Sequence, residues 1–339
     1  MKKWIALLLA ALMLFGLVAC GETATTETTE TTETAETTEA TETAEPAVET
    51  FTVGICQLVQ HVALDAATKG FRDALDEAMP GQITFDEKNA SGDASTCATI
   101  VNGFVSSNYD LILANATPAL QAATSATEDI PILGTSITEY GVALDIADFD
   151  GTVGGNVSGT SDLAPLDQQA AMFDELLPDA ATIGILYCSA EANSVYQAEV
   201  VQAALESAGK TVNVYTFADS NDVATVTSQA CGENDALYIP TDNTAASCAE
   251  AINNVAEPAG IPIICGEEGI CKGCGIATLS IDYYELGKTT GAMAARILKG
   301  ESDIAEMPIE YFQNPVKKYN AELCEALNIT IPDGYEVIE

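Results

Sequence analysis

The chain has 339 residues and a strongly acidic composition, with 51 Asp and Glu residues against 12 Lys and Arg residues and a formal charge of -39. Nucleic acids and anionic lipid surfaces attract clusters of basic residues, so this charge argues against both as partners. The acidity predicts a well-solvated surface, and no loop has the acidic spacing of a calcium site.

The N-terminal segment has the pattern of an export signal. A basic Met-Lys-Lys start precedes an apolar run over residues 4–19, which as a helix would reach about 24 Å, less than the hydrocarbon core of about 30 Å. This predicts a secretory signal peptide over residues 1–19. "LVAC" at 17–20 is similar to the cleavage box of bacterial lipoproteins, which predicts lipidation at Cys20. An ordinary signal peptide that contains this cysteine is the alternative.

The next segment, residues 20–50, is predicted to be a disordered tether. Threonine and glutamate dominate it, it carries no basic residue, and almost nothing in it is large and apolar. Such a composition cannot bury enough surface to offset the entropy of ordering, and repulsion between the glutamates extends the chain. The first 50 residues therefore predict a protein that is exported and held off a membrane by two acyl chains.

Short apolar runs alternate with helical patterns through the rest of the chain, beginning with the strand-like "FTVGIC" at 51–56. The pattern that follows it places five apolar residues on one helix face: Leu64, Ala67, Phe71, Ala74 and Ala78. Strands that alternate with helices indicate an α/β fold with parallel sheets.

The order of these runs repeats about 130 residues later in the chain. "FTVGICQ" at 51–57 matches "ATIGILY" at 181–187, and "DIPILGTS" at 129–136 matches "GIPIICGE" at 260–267. "YDLILANATPALQAA" at 109–123 likewise matches "NDALYIPTDNTAASCAEAI" at 234–252. Solenoid repeats are shorter and more numerous, so the duplication predicts two doubly wound lobes.

The predicted binding residues follow from this arrangement. Ligands of open parallel sheets bind beyond the carboxyl ends of the strands, so two facing lobes would share one cleft. The loops after the predicted strands supply the candidate ligand-binding residues, any of which could instead only cap a helix: Gln57, Asn115, Thr117, Ser136, Ser161, Asp162, Asp242, Asn243 and Glu268.

The chemistry of these loops favours an amino acid as the ligand. They hold no basic cluster for a phosphate and few of the aromatic and amide groups that sugars usually need. For an amino acid zwitterion, Asn115, Thr117, Ser136 and Ser161 are the predicted donors to the carboxylate. Asp242 is the predicted acid for the ammonium group, and Asp162 and Glu268 are the alternative candidates. Three apolar or aromatic residues could select the side chain or belong to the core: Leu58, Tyr140 and Tyr187.

Several motifs together resemble those of a known family. "VGICQLVQHVALDAATKGF" (53–71), "NATPALQAA" (115–123), "SGTSDLAP" (158–165), "YIPTDNT" (238–244) and "ATLSIDYYELGKTTGAMAARILKGE" (277–301) are similar to motifs of bacterial ABC importer substrate-binding lipoproteins. The group in question is linked to tryptophan and other aromatic amino acids, and the resemblance covers residues 51–339. It implies a type I periplasmic-binding-protein fold, in which two lobes joined by three crossing segments close on a small solute.

The repeat and the resemblance together give expected boundaries and partners. Lobe one is expected over 51–150 plus 276–305, and lobe two over 151–275 plus 306–339. The resemblance implies delivery of an aromatic or branched amino acid to an ABC permease and, through it, to an ATPase. The protein would be anchored at the outer face of the cytoplasmic membrane.

Ten cysteines in an exported chain are compatible with a disulfide framework. Many of them, however, lie at the ends of predicted apolar strands, as Cys56, Cys188 and Cys265 do. There a free cysteine behaves as a small buried hydrophobe. "EEGICKGCGIAT" at 267–278 departs from the expected family pattern, because it places Cys271 and Cys274 beside the cleft. Free thiols, a local disulfide and a metal or redox role all remain open for this pair.

A catalytic role finds little support in the sequence. His61 is the only histidine available to a Ser-His-Asp unit, and no nucleophile elbow is present. "GTVGGN" at 151–156 lacks the Lys-Ser/Thr of a P-loop and is typical of a turn near a crossing. The sequence therefore predicts a binding protein without cofactor or metal. An anchored sensor subunit and a receptor for another solute, such as a nucleoside or sugar, are the alternatives.

Overall fold

Two β-sheets organise residues 49–338, the part of the chain that the computed structural model describes. The predicted signal peptide, Cys20 and nearly all of the predicted tether lie outside these residues. No helix within 49–338 is long and apolar enough to cross a membrane.

Lobe one is built on a six-stranded parallel sheet with the strand order β11-β5-β4-β3-β1-β2. Its strands are β1 (Phe51–Gln57), β2 (Ile83–Asn89), β3 (Leu111–Asn115), β4 (Ile132–Ile137), β5 (Val157–Ser161) and β11 (Glu310–Tyr311). Its helices are α1 (Val62–Ala78), α2 (Ala94–Ser106), α3 (Thr117–Ala126), α4 (Tyr140–Ala143) and α11 (Tyr283–Leu298), and a 3-10 turn covers Ile304–Glu306.

Lobe two is built on a seven-stranded sheet with the order β13-β12-β10-β9-β8-β6-β7, in which only β10 and β12 pair antiparallel. Its strands are β6 (Thr182–Cys188), β7 (Thr211–Phe217), β8 (Ala236–Ile239), β9 (Ile263–Cys265), β10 (Ala277–Ser280), β12 (Val316–Tyr319) and β13 (Glu336–Val337). Its helices are α5 (Leu166–Leu176), α6 (Ala192–Ser207), α7 (Val223–Glu233), α8 (Asn243–Ser247), α9 (Ala249–Ala259), α10 (Glu268–Cys274) and α12 (Ala321–Ala326).

The predicted duplication is visible in the two strand orders. Strands β5-β4-β3-β1-β2 of the first sheet correspond to β10-β9-β8-β6-β7 of the second. The α/β class with two doubly wound lobes is therefore confirmed. Each sheet carries an apolar cluster on both faces, which is why its central strands read as nearly continuous apolar runs. In β1, for example, Val53 and Ile55 pack into one cluster and Cys56 into the other.

The chain changes sheet at other points than the expected boundaries. Strand β5 pairs with β4, so lobe one continues beyond residue 150, and the glycine-rich turn at 151–156 lies within that lobe. Strand β10 pairs with β9, so lobe two includes residues that we expected in lobe one. Strand β11 pairs with β5 although it follows residue 305. The three crossings consequently follow Ser161, Ser280 and Tyr311.

The nine cysteines within the described residues are free thiols, and eight of them are buried. Cys56, Cys188 and Cys265 are buried in strands, as predicted for small hydrophobic residues. Cys271 and Cys274 lie on the buried face of α10 and pack in the core of lobe two. Within residues 49–338, no group of three or more His, Cys, Asp or Glu residues could hold a metal ion.

Candidate ligand-binding site

The carboxyl ends of the two sheets face each other across a cleft. His61, in the loop after β1, lies with its Nε2 atom 3.2 Å from Oδ1 of Asn243, the first residue of α8 in lobe two. Nearer the crossings, Gln197 Nε2 of α6 approaches Thr138 Oγ1 of lobe one at 3.5 Å. These contacts join the loops that the strand-end rule predicts to form a binding site.

A cavity of about 330 Å³ opens between the lobes. This volume lies within the range of small-molecule sites, which is about 300 to 1,000 Å³. Lobe one contributes Leu58, Val59 and Pro118 to its wall, and the polar residues around Asp93 form its rim. Lobe two contributes Cys188, Ala190, Glu191, Asn243 and Thr244 and a rim around Asp219 and Ser220.

The corner between β3 and β4 is shaped to receive an anion. Ala116, which directly follows β3, and Ser136, the last residue but one of β4, adopt positive φ angles of 89° and 56°. Ala116 N donates to Thr135 O at 3.1 Å. Helix α3 begins directly at Thr117, and no side chain caps its N-terminus. The Ser136 hydroxyl is buried without a hydrogen-bond partner in the described chain. Strain and an uncapped helix start are both typical of ligand sites.

Gln57 and Asn115 lie beside this corner but bond mainly to α1. The Gln57 amide donates to Asp65 Oδ1 at 2.7 Å and accepts from the Thr68 hydroxyl at 2.7 Å. The Asn115 amide donates to Leu64 O and to Thr68 Oγ1, both at 2.9 Å, while its Oδ1 atom is buried and unpaired. Both residues therefore tie β1 and β3 to α1.

The predicted acid Asp242 has structural partners for both carboxylate oxygens. Oδ1 accepts from Ala245 N at 2.7 Å, which caps α8, and Oδ2 accepts from Cys188 N at 2.7 Å. Burial, with a further contribution from Glu191, raises the pKa of Asp242 to about 7. Asp242 lies just after β8, and both of its carboxylate oxygens already accept hydrogen bonds from backbone N–H groups.

Glu191 lies beside Asp242 and was not among the predicted residues. Its two oxygens accept from the backbone N–H groups of Asn243 and Thr244 at 3.0 and 2.9 Å, and from their side chains at 2.6 and 2.8 Å. The N-terminus of α8 is thus occupied by two carboxylates of the protein. A ligand carboxylate would be repelled there, in contrast to the open start of α3.

Asp162 has a free carboxylate oxygen at the first crossing. Its Oδ2 atom accepts from the Tyr283 hydroxyl at 2.9 Å, while Oδ1 is buried without a hydrogen-bond partner in residues 49–338. Burial raises the pKa of Asp162 to about 6, against the opposing effect of the nearby Tyr283 and Thr138 hydroxyls. Ser161, by contrast, is used locally, since its hydroxyl donates to Thr138 O at 2.8 Å and accepts from Leu163 N at 3.2 Å.

The acids after β9 have local roles. Glu268 forms an ion pair with Lys318 at 2.5 Å and is about one-third exposed. Glu267, its neighbour, caps α10 by accepting from Gly269 N and Ile270 N, both at 2.5 Å. Burial raises the pKa of Glu267 to about 7. No Lys or Arg side chain within the described chain is buried with these acids.

Of the three predicted side-chain selectors, only Leu58 lines the cavity. Tyr140 is a core residue of lobe one, where its hydroxyl donates to Thr160 O at 3.1 Å. Tyr187 packs against the core of lobe two.

Sequence reasoning missed the residues that follow β6. Glu191, Asn193 and Gln197 all lie on the cleft side of lobe two, and Asn193 Oδ1 is buried and unpaired in the described chain. The duplication carries the signal that could have found them, because β6 is the counterpart of β1. The loop after β6 is therefore equivalent to the loop that holds His61.

Known proteins share this architecture. The family model described as "ABC transporter substrate binding protein" matches residues 52–337. A tyrosine-binding protein of Clostridioides difficile (strain R20291) is 35% identical over 280 residues, which cover 82% of this chain and 81% of that protein. The two-lobed fold is that of type I periplasmic binding proteins, as the resemblance implied.

Two solved structures of similar sequence identity superpose on this chain to different extents. A Streptococcus pneumoniae ABC domain in complex with L-Trp gives a TM-score of 0.81 at 34% identity, covering 86% of this chain and all of that one. A ligand-free, open substrate-binding protein with adhesive properties from Clostridium difficile gives 0.65 at 34% identity, covering 85% of this chain and 99% of that one. The lobes here are thus arranged more like those of the tryptophan complex.

The family match over residues 52–337 and the 35% identity across 82% of the chain show that this chain belongs to the ABC transporter substrate-binding proteins, a family of solute receptors rather than enzymes.

Proposed function

We propose that this protein is an extracellular receptor for an aromatic amino acid, which it delivers to an ABC permease and its ATPase. Relatives that bind tyrosine or are solved with L-Trp support this ligand class. The observation that carries the proposal is a pair of unsatisfied polar sites in the cleft: the Ser136 hydroxyl beside the open start of α3, and Asp162 Oδ1. One matches a carboxylate and the other an ammonium group.

The ligand carboxylate would bind at the corner between β3 and β4. The start of α3 offers the Thr117 N–H group and hydroxyl, and the helix dipole favours a negative charge there. The buried Ser136 hydroxyl adds a donor without another partner in the described residues. Asn115 and Gln57 support this corner by fixing the ends of β3 and β1 to α1.

The ligand ammonium group would bind at Asp162. Among the buried cleft acids, this carboxylate has an oxygen that the fold leaves free, whereas those of Asp242, Glu191 and Glu267 are engaged by backbone N–H groups. An ammonium group would also relieve the cost of burying the Asp162 charge. The ligand side chain would extend into the cavity of about 330 Å³ lined by Leu58, Val59 and Pro118.

Calorimetric titration of Asp162→Asn with L-tyrosine and L-tryptophan tests this assignment. Loss of the carboxylate that pairs a desolvated ammonium should weaken binding by roughly 2 to 5 kcal/mol, which is about 30-fold to several thousand-fold. Asp242→Asn is the matched control, because it alters a buried acid in the same cleft that the fold already satisfies. The assignment is wrong if Asp242→Asn abolishes binding while Asp162→Asn stays within threefold of the wild type.

The support for a membrane anchor comes from sequence outside the described residues. We propose that residues 1–19 are removed and that lipidated Cys20, followed by the acidic tether, holds the protein at the outer face of the cytoplasmic membrane. Cys20→Ala should release the protein into the medium or leave it uncleaved, which fractionation and mass measurement would show. A processed variant that remains in the membrane fraction would contradict the anchor.

A further inference from the structure

The contact between His61 and Asn243 joins the lobes across the cleft and fixes the state of the His61 ring. Asn243 Nδ2 donates to Glu191 Oε2 at 2.6 Å, so the amide cannot be turned without placing its oxygen against a carboxylate. The atom that faces His61 Nε2 at 3.2 Å is therefore Oδ1, which only accepts hydrogen bonds. His61 Nε2 must carry the proton in this contact.

The second nitrogen of the ring is then an acceptor. Burial lowers the pKa of His61, with smaller opposing effects from Asn243, Glu191 and Asp65, so the ring is neutral near pH 7. A neutral ring with a proton on Nε2 has a lone pair on Nδ1. His61 Nδ1 is buried and has no hydrogen-bond partner in the described chain. A buried acceptor of this kind calls for a donor from elsewhere.

The strand order places this acceptor away from the sites proposed for the ligand head group. Asp162 follows β5 and His61 follows β1, and β4 and β3 lie between these strands. Three strand spacings of about 4.8 Å place the ends of these two strands about 14 Å apart, so Asp162 and the loop that holds His61 start from well-separated strand ends. The carboxylate corner lies between them, at the ends of β3 and β4. His61 is not itself one of the residues that line the cavity, but its partner Asn243 and its loop neighbours Leu58 and Val59 are.

We propose that His61 Nδ1 accepts a hydrogen bond from the ligand side chain and thereby selects aromatic amino acids that carry a ring N–H or O–H donor, such as tryptophan and tyrosine, over phenylalanine. This inference rests on the proposed function. The same ring donates a hydrogen bond to Asn243 of lobe two. The residue that would bind the ligand side chain therefore also joins the two lobes across the cleft. Nothing in the loop sequence singles out this role, since it depends on the cross-lobe contact.

Calorimetry with two pairs of ligands tests the inference on the full-length protein. L-tryptophan is compared with 3-benzothienyl-L-alanine, which replaces the ring N–H by sulfur, and L-tyrosine is compared with L-phenylalanine. The wild type should bind the donor-bearing member of each pair about 10- to 100-fold more tightly, because the analogue leaves Nδ1 unpaired. A difference below threefold in both pairs would overturn the inference, whatever the behaviour of any variant.

Two variants separate the two ring nitrogens. His61→Gln keeps an N–H group near the Nε2 position for Asn243 but removes the ring acceptor, so it should lose the preference within both pairs and keep its affinity for phenylalanine within threefold. His61→Asn keeps an acceptor near Nδ1 without reaching Asn243, so it should bind all ligands more weakly and keep the preference. A preference that survives in His61→Gln, or an equal loss for all four ligands, would overturn the inference and leave the proposed function standing. Binding of no aromatic amino acid by the wild type would overturn both.

Discussion

Four buried carboxylates lie at strand ends that face the cleft, namely Asp162, Glu191, Asp242 and Glu267, and no Lys or Arg within residues 49–338 is buried with them. Three of them accept hydrogen bonds from backbone N–H groups and so have partners independent of any ligand. Asp162 keeps an unpaired oxygen. The negative potential of this cleft favours a ligand with a cationic group and disfavours anionic nutrients.

Binding of an amino acid should depend on pH through Asp162. In the ligand-free protein, burial raises the pKa of this carboxyl group to about 6, so it is largely protonated at pH 5. An ammonium group favours the ionised form, so binding must release this proton below pH 6. Affinity should therefore fall about tenfold between pH 7.5 and pH 5, which calorimetry can measure.

The control for this dependence is Asp162→Asn, which should bind weakly with little change across the same range. Asp242 and Glu267 also have pKa values raised to about 7, so the variant distinguishes Asp162 from its neighbours. Equal affinity of the wild type at both pH values would contradict the assignment of Asp162.

The sequence could not show which acid of the cleft keeps a carboxylate oxygen available to a ligand. Position after a strand places both Asp162 and Asp242 in the cleft, and this much follows from the alternation of strands and helices. Whether an oxygen already has a partner depends on residues far along the chain, as with Cys188 N and Asp242 at 2.7 Å.

At the scale of elements, α1 and α11 pack with their backbones in close approach. A Cβ atom added to Gly287 would lie 2.0 Å from Ala67 O, and one added to Gly70 would lie 2.0 Å from Tyr284 O. The apolar face predicted for α1 forms the other part of this contact, since Leu64, Ala67 and Phe71 are buried. Ala74 and Ala78 on the same face are only partly buried.

Gly287→Ala should therefore destabilise lobe one. The new methyl group forces the two helices apart, which typically costs about 1 to 3 kcal/mol in a well-packed core. Gly103→Ala in α2 is the matched control, because nothing lies within 4 Å of its added Cβ and alanine favours a helix by about 0.5 to 1 kcal/mol. Denaturant unfolding of both variants checks this, and a Gly287→Ala protein as stable as the wild type would contradict the close packing.

The strands and helices were predicted from the sequence more accurately than the lobe to which each one belongs. The duplication located the central strands, because each is an apolar run followed by a helix. The positions of the crossings depend on which strands pair at the sheet edges, as β12 pairs antiparallel with β10. Such long-range pairing cannot be predicted from a local sequence pattern. Residues 276–280 were for this reason expected in the wrong lobe.

At the scale of the whole molecule, ligand binding and lobe closure are expected to be one event. The corner proposed for the ligand carboxylate belongs to lobe one, the cavity has walls from both lobes, and the His61–Asn243 contact spans them. The higher TM-score to the tryptophan complex than to the open, ligand-free structure agrees with a closed arrangement. Under the proposed function, this change of shape would let a permease distinguish the loaded receptor from the empty one.

The proposed function requires that this cleft binds an aromatic amino acid, and calorimetric titration of the purified protein measures that binding. L-tyrosine, L-tryptophan and L-phenylalanine would be titrated beside myo-inositol and a nucleoside under the same conditions. We expect saturable binding at one site per chain, with micromolar or tighter affinity, for at least one aromatic amino acid and no binding of the other two solutes. Saturable binding of the sugar alcohol or the nucleoside, and of no amino acid, would contradict it.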